Sequence, residues 1–259
     1  MTKSEFEQLI DKIREKRELR KVSREVVADL LFNYLSKEKI DLPKAAKKDL
    51  EIIKKEIRTQ LRDYVGRFHK TEKNMNRYLK SNDFDRLICA HSSTRERLEA
   101  YPQIVEVIKK INPEIVIDIG CGLNPLAIAK EDMTYYAIDI NENDLDIVKK
   151  YFNIKQIRGH VISKDIKRIE DIILPRADLC LALKVLDLVE KRGHKIAEKI
   201  LDKIETRYFL ISFSTKTLSG KAMNHPQRGW IERLFLRKGW PFKTIKAKNE
   251  IFYLTEKMQ

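Results

Sequence analysis

The 259-residue chain is predicted to be α/β, a parallel sheet flanked by helices and preceded by an all-helical unit. Three observations predict it. Residues 1–90 carry helical periodicity and almost no strand signal. From about residue 91, apolar strand-like runs alternate with helical segments, the pattern of a parallel sheet covered on both faces. At 115–122 an apolar run enters Gly120-Cys121-Gly122, and Pro125 then opens an apolar helical segment, which reads as strand, tight glycine turn and helix.

In the helical unit, Phe6, Leu9, Ile10, Ile13 and Arg17 follow one helical period. A second helix starts with Ser23 as N-cap and uses Val26, Val27, Leu30, Leu31 and Tyr34. A third follows Pro43, runs through Leu50, Ile53, Ile57, Leu61 and Tyr64, and closes near Gly66. Shorter helical pieces are expected at Glu72–Leu79 and Asp83–Ala90, and the unit is taken to end at residue 88. Residues 89–259 form the second domain. It opens with a helix at Thr94–Ile111. Strands are expected at Ile115–Ile119, Tyr135–Ile140, Gln156–Ile162, Asp178–Leu183 and Tyr208–Phe213. Between them lie helices at Leu126–Lys130, Glu142–Phe152 and Leu186–Ile204. A helix at Trp230–Leu236 and a hairpin of Phe242–Ala247 with Ile251–Leu254 close the chain and add an antiparallel edge.

Charge is distributed unevenly. The net charge of +14 exceeds the ~2–8 usual for a small domain. Residues 1–90 hold 23 Lys and Arg against 16 Asp and Glu, and residues 203–259 hold 12 against 4, which leaves the middle at −1. A near-neutral centre with two basic flanks is the footprint expected of a nucleic-acid binder. Cys89, Cys121 and Cys180 have no metal-ligand spacing and read as reduced thiols; no metal is expected. No apolar run approaches the ~18 residues of a membrane span, and the N-terminal pattern is amphipathic with acids, unlike a signal peptide. A cytoplasmic monomer with no membrane partner is expected. The abundance of Lys, Glu and Ile hints at a thermophile.

The ligand pocket of such a sheet lies beyond the carboxyl ends of its strands. Asp118 stands at the end of the first strand, where it orders the loop or meets the ligand. Asp139 ends the second strand 21 residues later, where a carboxylate receives hydrogen bonds from ribose hydroxyls, and Asp165 follows the third. A dinucleotide site needs a third small residue where the helix starts, and that place holds Pro125. S-adenosylmethionine (SAM) has no pyrophosphate to seat there, so the acid, Gly120, Gly122 and the proline fit SAM better than a nicotinamide.

A second motif is His91-Ser-Ser-Thr-Arg-Glu-Arg-Leu98. Ser93 and Glu96 have capping-box spacing. Arg95 and Arg97 in a first helical turn oppose the helix dipole, and one of them gripping a carboxylate or phosphate gives that placement a purpose. Lys184 sits at the mouth of the pocket. Lys216, Lys221, Arg228 and Trp230 interleave basic and aromatic groups after the next strand, suited to a polynucleotide, with Arg228 on phosphate or base and Trp230 stacking. Lys184 and Arg228 are the candidates for contact at the reacting base. His225 before Pro226 is read as a loop histidine, and Cys180 as core packing.

The stretches HSSTRERLEAYPQI, VIDIGCGLNPLAI, LCLALKVLDLVE and ISFSTKTLSGK together resemble the aminoglycoside-resistance 16S ribosomal RNA (guanine-N7) methyltransferases, over about residues 88–240, in what looks like an archaeal or thermophilic relative. The resemblance implies a helical RNA-binding extension on a Rossmann-like SAM-dependent domain. It implies that Arg95 and the turn at Gly120 and Gly122 meet the SAM carboxylate, that Asp139 holds the ribose, and that Asp165 with Ile166 holds the adenine. His91, Ile140 and Leu183 are counted with the cofactor-binding residues. It implies rRNA, or else tRNA, as partner. Guanine N7 carries a lone pair and no proton, so no general base is required. The alternatives are methylation of ribose or another base, and a non-catalytic RNA-binding or ribosome-assembly factor. The extension is expected to select RNA and to be dispensable for cofactor binding.

Overall fold

The structure is a computed structural model that describes residues 3–65, 75–189, 193–216, 221–224 and 226–258. The expected helix end at Gly66, the first residues of the piece expected at 72–79, and His225 lie outside the described residues.

Helices α1 (Lys3–Arg14), α2 (Arg24–Glu38) and α3 (Lys47–Val65) close around Leu9, Ile10, Ile13, Val27, Leu31, Ile53, Ile57 and Leu61. These are the apolar positions that recur with the helical period, so one face of each helix is withdrawn from water. Ser23 does occupy the N-cap of α2, but its side chain makes no capping bond there. Its backbone N–H donates instead to Ile140 O at 2.9 Å, and Glu142 N–H donates to Lys21 O at 3.0 Å. Val22 and Asn141 thus form an antiparallel bridge between the helical unit and the sheet domain.

The residues just before the boundary expected at residue 88 pack on the sheet. Helices α4 (Met75–Lys80) and α5 (Phe84–Ala90) bury Met75, Phe84, Leu87 and Ile88 in the sheet domain's core, and Phe84 meets Tyr151 edge-on at 4.9 Å. Their apolar faces have no place in the three-helix core, which ends with Leu61.

After α6 (Ser92–Arg97) and α7 (Tyr101–Ile111) comes a seven-stranded sheet of order β3-β2-β1-β4-β5-β7-β6. Strands β1 (Ile115–Ile119), β2 (Thr134–Asp139), β3 (Arg158–Ser163), β4 (Ala177–Leu183) and β5 (Thr206–Ser214) are parallel. Val116, Ile117, Ile119, Leu179, Cys180 and Leu181 are fully buried, as continuous apolar strands covered on both faces require. Between them run α8 (Pro125–Ile128), α9 (Glu142–Ile154), α10 (Leu186–Val189) and α11 (Lys195–Lys203). After α12 (Gly229–Lys238), β6 (Phe242–Lys246) and β7 (Glu250–Glu256) form the expected hairpin, with β7 antiparallel to β5 and β6 outermost.

Two expected helices are divided. Thr94–Ile111 breaks after Arg97, and α7 restarts at Tyr101 with Pro102 in its first turn, where the missing N–H has no intrahelical role. The capping box does not form. His91 is the N-cap of α6, and Ser93 Oγ pairs with His91 Nδ1 at 2.9 Å. Arg95 and Arg97 therefore lie in the last turn of a six-residue helix, where the dipole favours them. Leu186–Ile204 separates into α10 and α11.

Candidate cofactor cleft

Because β1 is flanked by β2 on one side and β4 on the other, the chain's crossovers leave opposite faces of the sheet there, and a cleft opens beyond the strand ends. The turn after β1 forms its floor. Gly120 and Gly122 have φ of +63° and +48°, which side chains disfavour, and a Cβ on Gly120 would lie 2.7 Å from Val185 Cγ2.

Asp139 ends β2 and joins two loops. One oxygen accepts from Gly122 N–H at 2.8 Å and the other from Asn141 N–H at 2.9 Å. Burial, and then the neighbouring Asp144, push its carboxyl up to about 6. Asp165 accepts from Lys167 N–H at 2.9 Å and lines the cleft with Ile140, Ile166 and Leu183. His91 lines it too, with its Nε2 3.4 Å from Asp144.

Asp118, expected either to order the loop or to meet the ligand, points away from the cleft. It does not line the cleft but lies fully buried behind the turn, accepts from Tyr135 OH at 2.8 Å, and is pushed by burial up to about 7. The two arginines of the motif are placed differently. Arg95 is exposed and does not line the cleft; Arg97 is buried and does. Residues two apart on a helix face in different directions, and α6 turns Arg97 inward. Arg97 Nε donates to Glu250 at 3.2 Å, and a second guanidinium nitrogen donates to Asn124 at 2.6 Å. Burial opposes its charge, but Glu250, with Tyr101 and Asp118, more than offsets that, and its pKa is raised.

Lys184 follows β4 with φ of +58° and lines the cleft, its Nζ 3.4 Å from Glu250 and 3.6 Å from Glu96. Arg228 is placed differently from the expectation. It does not line the cleft; its guanidinium pairs with Asp187 at 3.1 Å, donates to Pro226 O and Ser214 O, and lies over Phe213. It ties the segment after β5 to α10. Trp230 is likewise packed rather than presented. One face stacks on His194 at 4.2 Å and its edge meets Phe213, so it anchors α12. Lys216 forms a bridge with Ala222, and Lys221 is exposed. Cys180 is fully buried in β4, and burial raises its thiol well above the ordinary value, consistent with packing. No group of metal-ligating side chains occurs among the described residues.

Sequence reasoning missed Glu250, Asn124, Asp144 and Lys164. Asn124 stands two residues after the glycine turn and was within reach of that motif. Nothing local marks Glu250. Lys164 lines the cleft and pairs with Glu25 of α2, so the extension touches the cleft wall directly. No described helix is long and apolar enough to cross a membrane.

The sheet order, the glycine turn and the carboxylates at successive strand ends define a Rossmann-like fold of the SAM-dependent methyltransferase class. Within that class, the chain belongs to the Ribosomal RNA methyltransferase (FmrO) family, whose model matches residues 54–254. It is 27% identical over 182 residues to a 16S rRNA (guanine(1405)-N(7))-methyltransferase of Frankia casuarinae, covering 66% of this chain and 63% of the relative. It is 29% identical over 161 residues to the enzyme of that name from Serratia marcescens, covering 60% and 62%. The chain thus spans less than two thirds of the length of these relatives. Among solved structures it resembles the 16S rRNA methylase RmtB, with a TM-score of 0.76 and 22% identity over 98% of both chains. It resembles RmtF in complex with S-adenosyl-L-homocysteine equally, at 0.76 and 19% over the full length of both. None of these matches supports an archaeal origin.

Proposed function

We propose that this protein transfers a methyl group from SAM to guanine N7 of ribosomal RNA. The observation that carries the reading is the set of groups that line one cleft. Arg97 and Lys184, the glycine turn, and Asp139 and Asp165 all face it. SAM offers the complementary groups, a carboxylate for the cations and ribose hydroxyls with an adenine amino group for the carboxylates. Val185 packs where a Cβ on Gly120 would stand, so that glycine is required by the packing of the turn itself.

The cofactor, when bound, supplies a methyl group already activated on a sulfonium. Arg97 and Lys184 fix the amino-acid arm by charge-assisted hydrogen bonds. Asp139 keeps acceptor capacity beyond its two backbone donors, because a carboxylate offers about four lone-pair sites. Ile140, Ile166 and Leu183 exclude water from the adenosine. The protein's work is orientation, since in-line displacement by a ring nitrogen needs no base.

The basic helical extension, with Lys216 and Lys221 beyond β5, holds the RNA backbone in this reading, and the enzyme acts as a cytoplasmic monomer. The family membership and the names of the relatives support rRNA over tRNA. The test is methyl transfer from labelled SAM to unmodified 16S rRNA and to small ribosomal subunits. N7-methylguanosine is then located by strand scission after reduction and aniline treatment. Label on ribose or on another base refutes the guanine assignment, and no label on any RNA refutes the activity.

A further inference from the structure

Glu250 opens β7 and is 1% exposed. Both carboxylate oxygens accept from Arg97 Nε at 3.2 Å, Ser212 Oγ donates to one of them, and Lys184 Nζ lies 3.4 Å from the other. Glu250 does not itself line the cleft, whereas Arg97 and Lys184 both do. A buried carboxylate thus stands behind two cations of the cleft wall and serves both. Arg97 is held on a second edge by Asn124, which also accepts from Tyr101 OH at 2.9 Å. Lys184 is held by its backbone, whose N–H donates to Ser212 Oγ at 3.1 Å. Ser212 therefore connects the turn bearing Lys184 to the carboxylate that pairs with Lys184's own side chain.

A buried ion pair adds little net stability over an apolar pair of the same size, and its best-attested use is to fix a geometry. Two like charges on one wall spread apart unless an anion sits between them. We propose that Glu250 is a positioning residue that holds Arg97 and Lys184 together at the amino-acid end of the cleft and so sets affinity for the carboxylate arm of the cofactor. This inference rests on the cofactor reading above. With a neutral amide at position 250 the two side chains lose their common partner, and an incoming carboxylate must order them itself on binding.

The experiment is calorimetry on the full chain with two ligands. S-adenosylhomocysteine carries the amino-acid arm, and 5′-methylthioadenosine lacks it. Glu250→Gln should weaken S-adenosylhomocysteine by about tenfold, the scale of one charge-assisted hydrogen bond, and leave 5′-methylthioadenosine within about twofold. A merely structural role would weaken both alike. Equal losses, no loss, or a gain for S-adenosylhomocysteine overturns the proposal. Ser212→Ala removes the hydroxyl donor without altering charge, and should produce a smaller selective loss. If Glu250→Gln does not fold, this variant decides, and no selective loss from it overturns the proposal. A wild-type chain that binds neither ligand overturns the cofactor reading and this inference with it. A wild type that binds both, with selectivity unchanged in the variants, overturns the role of Glu250 alone.

Discussion

Arg97 and Glu250, 153 residues apart in the chain, meet at 3.2 Å at the base of the cleft. Both are almost wholly removed from water. Removing one partner of such a pair leaves the other as an unpaired buried charge. Arg97→Ala should destabilise the fold by about 3–5 kcal/mol on that account and sharply weaken S-adenosylhomocysteine. Arg95→Ala, on the exposed side of α6, should destabilise the fold less than Arg97→Ala. Urea denaturation and calorimetry on the two variants check this. Equal effects would return the cofactor contact to Arg95.

The second prediction concerns pH. Asp139 is pushed up to about 6, above its ordinary 3.8. Protonation below about 6 removes acceptors that the ribose uses, so affinity for S-adenosylhomocysteine should rise from pH 5 to a plateau above pH 7. Stability runs the other way. A carboxyl raised by folding contributes most stability below its unfolded value, and that contribution is lost as pH rises through about 6. Asp118, raised to about 7, acts in the same direction on stability and does not line the cleft. Asp139→Asn should lower affinity and flatten the binding profile between pH 5 and 7. A profile unchanged in Asp139→Asn would overturn the assignment to Asp139.

The third concerns the extension, which the sequence suggested was dispensable for cofactor binding. The bridge between Val22 and Asn141, the Ser23 to Ile140 hydrogen bond and the Lys164–Glu25 pair join it to the cleft wall. Ile140 also packs against its core. Removing residues 1–65 should therefore weaken S-adenosylhomocysteine as well as abolish RNA methylation. Ser23→Pro is a finer probe. The φ of Ser23 is −51°, close to that of proline, but the ring Cδ replaces the N–H that meets Ile140 O at 2.9 Å, so the change deletes the donor and pushes the two segments apart. It should cost more than the ~0.5–1.5 kcal/mol of a single lost hydrogen bond by thermal or urea unfolding. Undiminished cofactor affinity in the truncated chain would restore the two-part view.

The fourth concerns the turn. Gly120→Ala places a Cβ 2.7 Å from Val185 at a φ of +63°. The backbone penalty is about 1–2 kcal/mol, and the clash adds to it. Adding Val185→Ala should relieve the 2.7 Å contact with Cγ2 but neither the 3.1 Å contact with Cβ nor the backbone penalty. Unfolding of the single and double variants separates the two, and additive losses would show that the contact is not tight.

Periodicity and composition by themselves determined much of this protein. Apolar residues at helical spacing marked the three-helix core, and continuous apolar runs marked the buried parallel strands, because burial on one face or two is written locally. Topology then carries Asp139, Asp165, Ile166 and Leu183 to one rim, since parallel strands all end on the same side of the sheet. Tertiary structure alone decided which of Arg95 and Arg97 faces inward, because α6 stops after six residues and its rotation is set by what it packs on. It alone brought Glu250 to Arg97, because the pair exists only once β7 lies beside β5, a neighbour relation that no local spacing encodes. The tethers of Arg228 and the stack of His194 on Trp230 are of the same kind. Each is a contact between segments whose proximity is a property of the folded sheet and not of the chain.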